Sequence, residues 1–123
     1  MLNSRQKFGK QSESIAVSYL KKHGYKIIEQ NYRTKLGEID IIAKEKDTIA
    51  FIEVKARRSA HFGNPKWAVT PKKQRKISMV ALLYLKTTGQ SSAKARFDVV
   101  SVISSHDNQK IEIIKNAFEL AYG

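Results

Sequence analysis

The stretch Gly37–Arg58, GEIDIIAKEKDTIAFIEVKARR, has the pattern of two β-strands joined by a tight turn between Lys46 and Asp47. Asp40 and Glu53 stand within these strands, where a simple hairpin would carry apolar or neutral side chains. The position of these two acids therefore requires a chemical reason.

An antiparallel pairing about that turn defines the two faces of the ribbon. One face carries three pairs of side chains: Glu38 opposite Lys55, Asp40 opposite Glu53, and Ile42 opposite Phe51. The other face is wholly apolar and is predicted to be the core side: Gly37, Ile39, Ile41, Ala43, Ala50, Ile52, Val54 and Ala56. A slip of one residue would destroy this division, so the sequence itself supports the register.

Asp40 and Glu53 would have Cβ atoms roughly 4.5–5.5 Å apart, a distance at which two like charges directly opposite each other destabilise a sheet. A positive group is therefore expected between them. Lys55, two residues beyond Glu53 on the same strand, is one candidate. A divalent cation is the other, because Mg²⁺ typically binds one or two carboxylates and completes its shell with water and substrate phosphates.

Outside the hairpin, hydrophobic periodicity predicts two helices and three further strands. The predicted elements are a helix over residues 5–23, strands over 25–33, 37–45 and 48–57, a loop over 59–69, a helix from 70 to just before 89, and strands over 95–104 and 110–115. Gly24 ends the first helix, and Thr70 with Pro71 forms the N-cap and first turn of the second. The order αβββαββ predicts an α/β fold in which a mixed β-sheet is flanked by a helix on each side.

The composition indicates a globular protein. Its 123 residues, 41% hydrophobic and 28% charged, suit a single domain over residues 1–123. The absence of cysteine excludes disulfides, thiolate catalysis and cysteine-based zinc sites. No apolar stretch has the length of a signal peptide core or a membrane span, so we expect a soluble, cytoplasmic protein without membrane association.

The net charge predicts a polyanionic partner. Lys and Arg number 23 against 11 Asp and Glu, which gives a formal charge of +12 and a pI near 10.0. Nucleic acid is the commonest such partner, because neutralising its phosphates releases condensed counterions. The net charge alone also fits a ribosome-associated or membrane-surface protein, so it indicates only that the partner is negatively charged.

The segments GEIDIIA and FIEVKAR resemble the signature of the PD-(D/E)xK nuclease superfamily, with Asp40, Glu53 and Lys55 at the signature positions and Ile39 in place of its proline. A closer resemblance, to the YraN-like family of small bacterial proteins, covers nearly the whole chain. It rests on three segments: ESIAVSYLKKHGYKIIEQNYRTKLGEIDIIA, FIEVKAR and ARFDVV. That family is similar to archaeal Holliday-junction resolvases. The resemblance implies a restriction-endonuclease-like fold and a DNA endonuclease, with branched DNA among its expected substrates.

The same resemblance implies a division of chemical roles. Asp40 and Glu53, with Glu13 at the position of a helical glutamate in resolvases, would hold Mg²⁺ or Mn²⁺ and so activate water and phosphate. Lys55 would orient the attacking water or stabilise the charge that develops on phosphate. A helical wheel places Glu13 beside Leu20 at the border of the apolar stripe, where it faces either the sheet or solvent.

Cations at the start of the second helix, in TPKKQRKIS, lie against the positive end of the helix dipole. A locally unfavourable placement of charge tends to occur at functional sites, and a helix N-terminus with lysines is suited to binding phosphate. Two arginines leave the third strand toward the same loop. The predicted nucleic-acid-binding residues are Arg57, Arg58, Lys72, Lys73, Arg75 and Lys76.

Four other residues are interpreted as structural, or have more than one possible role. Phe62 and Trp67 in the loop either stack on bases, cover the core or contact a second subunit. Asp98 is interpreted as a structural acid bonded to a neighbour, and His23 as a structural residue on the apolar stripe of the first helix.

Two functional hypotheses follow. The first is a metal-dependent endonuclease whose catalytic residues are Glu13, Asp40, Glu53 and Lys55. The second is a non-catalytic nucleic-acid-binding module with the same fold. A third possibility, an adaptor on the ribosome or another large assembly, is supported by the net charge alone. Analogy with resolvases, which engage symmetric junctions, implies a homodimer.

Overall fold

The computed structural model describes residues 3–58, 69–105 and 108–121. Its elements are α1 (Ser4–Lys22), β1 (Tyr25–Thr34), β2 (Gly37–Glu45), β3 (Thr48–Arg57), α2 (Pro71–Thr87), β4 (Lys94–Ser105) and β5 (Asn108–Phe118). The predicted order αβββαββ is confirmed, and every predicted element is present. The loop predicted over 59–69 falls, apart from its last residue, outside the described residues.

Both helices begin at side chains that cap free N–H groups. The Asn3 side chain accepts a hydrogen bond from the N–H of Gln6 at 2.8 Å, and the Gln6 side chain accepts one from the N–H of Asn3 at 3.0 Å. Thr70 caps α2 by accepting from the N–H of Lys73 at 3.2 Å, and a proline opens the helix as predicted. Of the residues described, neither helix is both long and apolar enough to cross a bilayer.

The sheet is mixed, with strand order β1-β2-β3-β4-β5. Strands β3 and β4 are parallel, and every other neighbouring pair is antiparallel. A parallel pair needs a crossover connection, which here includes α2. Because the crossover returns from the end of β3 to the start of β4, it passes over one face of the sheet.

Each face of the sheet is buried against one helix. The cluster on the α2 face joins Ile77, Val80, Ala81, Tyr84 and Leu85 of the helix to Ile39, Ile42, Ile49, Phe51, Phe97 and Val99 of the strands. The cluster on the α1 face joins Ala16, Val17 and Leu20 to Tyr25, Ile41, Ala43, Ala50, Ile52, Val100 and Val102. The prediction of a single core face for the hairpin is therefore wrong, since Ile42 and Phe51 on its other face are 0% and 1% exposed.

The register predicted for β2 and β3 is confirmed from Ile41 opposite Ile52 to Glu45 opposite Thr48. The turn between them contains Lys46 at a positive φ of 55°. Two predicted pairs lie beyond this ladder and are not part of it: Asp40 with Glu53, and Glu38 with Lys55.

The ladder ends because β2 changes face at Asp40. Ile39 belongs to the α2 cluster and Ile41 to the α1 cluster, although strict alternation would put both on one face. Gly37 also lies on the α2 side, where an added Cβ would meet Cγ2 of Val80 at 3.4 Å and its φ of 148° would strain any other residue. The break leaves Asp40 between the two faces.

Candidate active site

Asp40 lies at the break in β2 with its carboxylate directed to β3. Its Oδ2 atom accepts a hydrogen bond from the backbone N–H of Val54 at 2.9 Å. Burial raises the pKa of Asp40 above its usual value and the nearby Glu38 adds to the rise, although the bond from Val54 opposes it. The backbone thus fixes a carboxylate whose negative charge is not fully compensated.

Glu53 is the second acid of the site, on β3, and is 7% exposed. Burial raises the pKa of Glu53 to about 7, and the Asp40 carboxylate contributes further. The two carboxyl groups lie within hydrogen-bonding reach of each other. The acids that the sequence predicted to be neighbours thus meet through their side chains rather than through the ladder.

Two ammonium groups lie near this acid pair. Lys55 follows Glu53 on the same face of β3, and Nζ of Lys73 on α2 lies 3.9 Å from Oε1 of Glu53. Both lysines lower the pKa of Glu53, yet burial and Asp40 outweigh them and the pKa stays raised. The ionised form of Glu53 is thus disfavoured chiefly by burial, a cost that a directly bound divalent cation would offset.

Glu13 reaches the edge of the site from α1. It is partly buried and lies near the side chain of Asn31. Burial raises the pKa of Glu13, and Asp40 and then Glu38 add to the rise, while Asn31 opposes it. The Glu13 carboxylate therefore lies within electrostatic range of Asp40. It lines a groove of about 530 Å³ with Gln6, Gly9, Lys10, Asn31, Arg33 and Glu38.

The donor set suits a hard divalent cation that is only partly enclosed by protein. Within 3–58, 69–105 and 108–121, no three acidic or histidine side chains are close enough together to hold a metal by themselves. Asp40 and Glu53 offer two carboxylates, which matches Mg²⁺ or Mn²⁺ because these ions keep water and bind substrate phosphate. Glu13 would join such a shell through water or a change of rotamer.

Comparison with known proteins shows the family. The sequence profile described as "Uncharacterised protein family UPF0102" matches residues 12–102. The chain belongs to the UPF0102 family. It is 56% identical to a UPF0102 protein of Desulfosudis oleivorans, over 97% of this chain and 95% of that one. It is also 55% identical to a UPF0102 protein of Syntrophus aciditrophicus, over 94% and 91% of the two chains. The YraN-like resemblance read from the motifs is confirmed.

The predicted nucleic-acid-binding residues of this UPF0102 chain are divided between two faces. Lys72, Arg75 and Lys76 are exposed on the first two turns of α2. The guanidinium of Arg58 lies over the ring of Phe8, 4.3 Å from its centroid, and therefore sits on the α1 side of the sheet. Arg57, at the end of β3, is partly buried and has interaction partners. Of these predicted residues, the one beside the acid pair is Lys73, and it comes from α2.

Sequence reasoning missed three residues around this candidate site. Ser101 on β4 is the registered partner of Lys55, is 1% exposed, and its hydroxyl has no hydrogen-bond partner among the described residues. Asn31 lies near Glu13 and adopts a positive φ of 52°, for which an asparagine inside a strand pattern was the available signal. Gln74 binds the start of α2, its Nε2 donating to the carbonyl of Val69 at 2.9 Å.

Asp98 lies on the α1 face and is satisfied by its neighbours. The hydroxyl of Tyr25 and the guanidinium of Arg96 donate to it at 3.0 Å, and the N–H of Asn116 donates at 3.1 Å. This agrees with the structural role that the sequence indicated. His23 instead lies exposed at the C-cap of α1, stacked on Tyr19, so its assignment to the buried stripe was wrong. Phe62 and Trp67 of the predicted loop fall outside the described ranges.

Proposed function

We propose that the chain is a cytoplasmic, metal-dependent endonuclease that hydrolyses phosphodiester bonds in DNA, branched DNA included. The observation that carries this proposal is the buried contact between the carboxyl groups of Asp40 and Glu53, flanked by Lys55 and Lys73. Two buried acids side by side are unfavourable for folding, and such groups concentrate at functional sites.

Asp40 and Glu53 are the residues that would hold Mg²⁺ or Mn²⁺. When bound, the ion supplies Lewis-acid activation of the phosphate and lowers the pKa of a bound water. Val54 keeps the Asp40 carboxylate in place through its N–H, so one ligand is already oriented before any cation arrives. The pair therefore combines a fixed oxygen ligand with a second one that must first give up a proton.

Lys55 and Glu13 have supporting roles around the acid pair. Lys55 stands on the same face of β3 as Glu53, where its ammonium can stabilise negative charge on the phosphate as the bond to the leaving oxygen breaks. Glu13, near Asn31, would orient a water on the α1 side of the pair. These roles follow from position and charge.

The start of α2 is the proposed contact for the nucleic-acid backbone. Lys72, Arg75 and Lys76 are exposed there, and the first N–H groups of a helix favour phosphate. Since Lys73 of the same turn reaches the acid pair, a bound strand would pass directly by the proposed cleavage centre. By analogy with resolvases, a homodimer would place two such centres on one symmetric junction.

The test is cleavage of branched and linear DNA, and of RNA, with Mg²⁺ or Mn²⁺ by the wild type, Asp40→Asn and Lys55→Ala. We expect metal-dependent cleavage by the wild type and a loss of at least about a hundredfold in each variant, since each removes a ligand or a charge-stabilising group. DNA binding by the variants should persist. Cleavage that survives in both variants, or that needs no divalent cation, would contradict the proposal.

A non-catalytic nucleic-acid-binding module is the second candidate. It is favoured by the finding that, within the described residues, the acids do not form a three-residue metal centre. It predicts salt-sensitive binding of nucleic acid with neither metal binding by calorimetry nor cleavage. The two candidates therefore differ in the metal titration, not in the binding assay.

A further inference from the structure

Lys73 lies on α2, whereas Asp40, Glu53 and Lys55 lie on strands β2 and β3. Its Nζ atom lies 3.9 Å from Oε1 of Glu53, and the side chains are 42% and 8% exposed. It also lowers the pKa of Asp40. One half-exposed ammonium group thus serves both buried acids, and it comes from the helix that opens the proposed nucleic-acid contact.

The position of Lys73 is locally unfavourable. It lies in the first turn of α2, which holds no acidic residue, so its charge opposes the helix dipole. Lys72 and Lys76 on the same helix stay exposed to water, whereas Lys73 is partly buried. Ordering a long side chain costs conformational entropy, so its approach to Glu53 indicates attraction to the acid pair.

Lys73 also differs from Lys55 in its place in the fold. Lys55 lies on β3, two residues beyond Glu53 and on the same face of the sheet, where it is paired with Ser101 of β4. Lys73 reaches across from the helix end, beside exposed cations that would meet a phosphate backbone. A rotation about its side-chain bonds exchanges a carboxylate for a phosphate oxygen without any backbone change.

We propose that Lys73 is an exchangeable counter-ion of the Asp40–Glu53 pair. Its ammonium occupies the cation position while the acids are without a divalent ion, and it turns to a phosphate oxygen of the nucleic acid when such an ion takes that position. This inference rests on the proposed function of the acid pair. It assigns Lys73 two partners in succession, whereas Lys72, Arg75 and Lys76 have phosphate alone.

The experiment is a calorimetric titration of the full chain with Mg²⁺ in the absence of nucleic acid, for the wild type, Lys73→Met and Lys86→Met. Methionine keeps most of the side-chain length and removes the charge. Lys86 is exposed in the last turn of α2, roughly 20 Å along the helix axis from Lys73. Lys86→Met is therefore a control that makes the same change in net charge far from the acid pair.

We expect Lys73→Met to bind Mg²⁺ about three- to tenfold more tightly than the wild type, because a competing cation is gone. Lys86→Met should match the affinity of the wild type within about twofold. Unchanged or weaker binding by Lys73→Met would overturn the inference.

Two further readouts separate this inference from the proposed function. Without metal, Lys73→Met should lower the melting temperature in the wild-type background and lower it less in the Glu53→Gln background, since one of its two partner charges is then absent. With DNA and Mg²⁺, Lys73→Met should lower the cleavage rate about tenfold, because the ammonium is then missing from the phosphate. If the wild type binds Mg²⁺ and cleaves DNA but the affinity of Lys73→Met is unchanged, only the exchange is wrong. If the wild type binds no metal and cleaves nothing, both proposals fail.

Discussion

The backbone N–H of Val54 donates a hydrogen bond to Oδ2 of Asp40 at 2.9 Å, where the ladder between β2 and β3 has already ended. A side-chain oxygen thus accepts from the N–H of a β3 residue just past the last ladder pair. This bond predicts that Asp40→Asn folds well, because the amide oxygen can still accept, whereas Asp40→Ala strands the N–H and loses about 1–3 kcal/mol relative to it. Urea unfolding of the two variants measures the difference, and equal stability of the two would contradict the role given to this bond.

Glu53 predicts a pH-dependent change in stability. Its pKa is raised to about 7 in the folded chain, so the folded state holds this proton more tightly than the unfolded one and stability falls as pH rises from about 4.5 to 7. Glu53→Gln lacks this loss and should be about 2 kcal/mol more stable than the wild type at pH 8, with little difference at pH 4. Unfolding curves at both pH values check this, and a gain that does not depend on pH would contradict it.

Divalent cations should stabilise the chain more at high pH. Glu53, whose pKa is raised to about 7, must lose its proton before both carboxylates can bind a cation, and ligand binding to the folded state raises its stability. We expect Mg²⁺ or Mn²⁺ to raise the melting temperature at pH 8 more than at pH 6, and EDTA to reverse the rise. Asp40→Asn should abolish the effect. Glu45→Gln serves as the control, because Glu45 pairs with Arg96 and Lys115 away from this site.

Two buried serines predict opposite effects of the same substitution. Ser101 is 1% exposed and its hydroxyl has no hydrogen-bond partner within the described part of the chain, whereas the hydroxyl of Ser78, 0% exposed, accepts from the N–H of Ala121 at 2.9 Å. Ser101→Ala should raise the free energy of unfolding by about 1 kcal/mol, and Ser78→Ala should lower it by a similar amount. Denaturant unfolding compares them, and destabilisation by Ser101→Ala would indicate a partner for that hydroxyl.

The exposed cations of α2 should determine the salt dependence of DNA binding. Lys72→Met and Lys76→Met should each reduce the magnitude of the slope of log affinity against log salt concentration by about one, because each loses one phosphate contact. Fluorescence anisotropy with a labelled duplex at several salt concentrations measures the slope. Lys86→Met is the matched control and should leave the slope unchanged, while an equal change in all three variants would indicate diffuse attraction without a defined contact.

Several features of the fold could be predicted because they depend on neighbours in the chain. The pairing of Ile42 with Phe51 follows from strand alternation on either side of one turn, and it is confirmed. Thr70 was a recognisable cap because capping joins residues only a few positions apart. The two-sided core of the hairpin was missed, since a strand covered by helices on both faces does not separate apolar from polar positions as a half-exposed strand does.

Linear pattern alone determined the order of the elements, the hairpin register and the choice of Asp40 and Glu53, because each reflects spacing within a short segment. Tertiary structure decided which groups surround that pair. Lys73 reaches Glu53 only because the crossover brings the start of α2 over β3, and Ser101 lies beside Lys55 only through the parallel pairing of β3 with β4. Contacts between elements distant in the chain depend on packing angles and strand order, which the local spacing of residues does not encode.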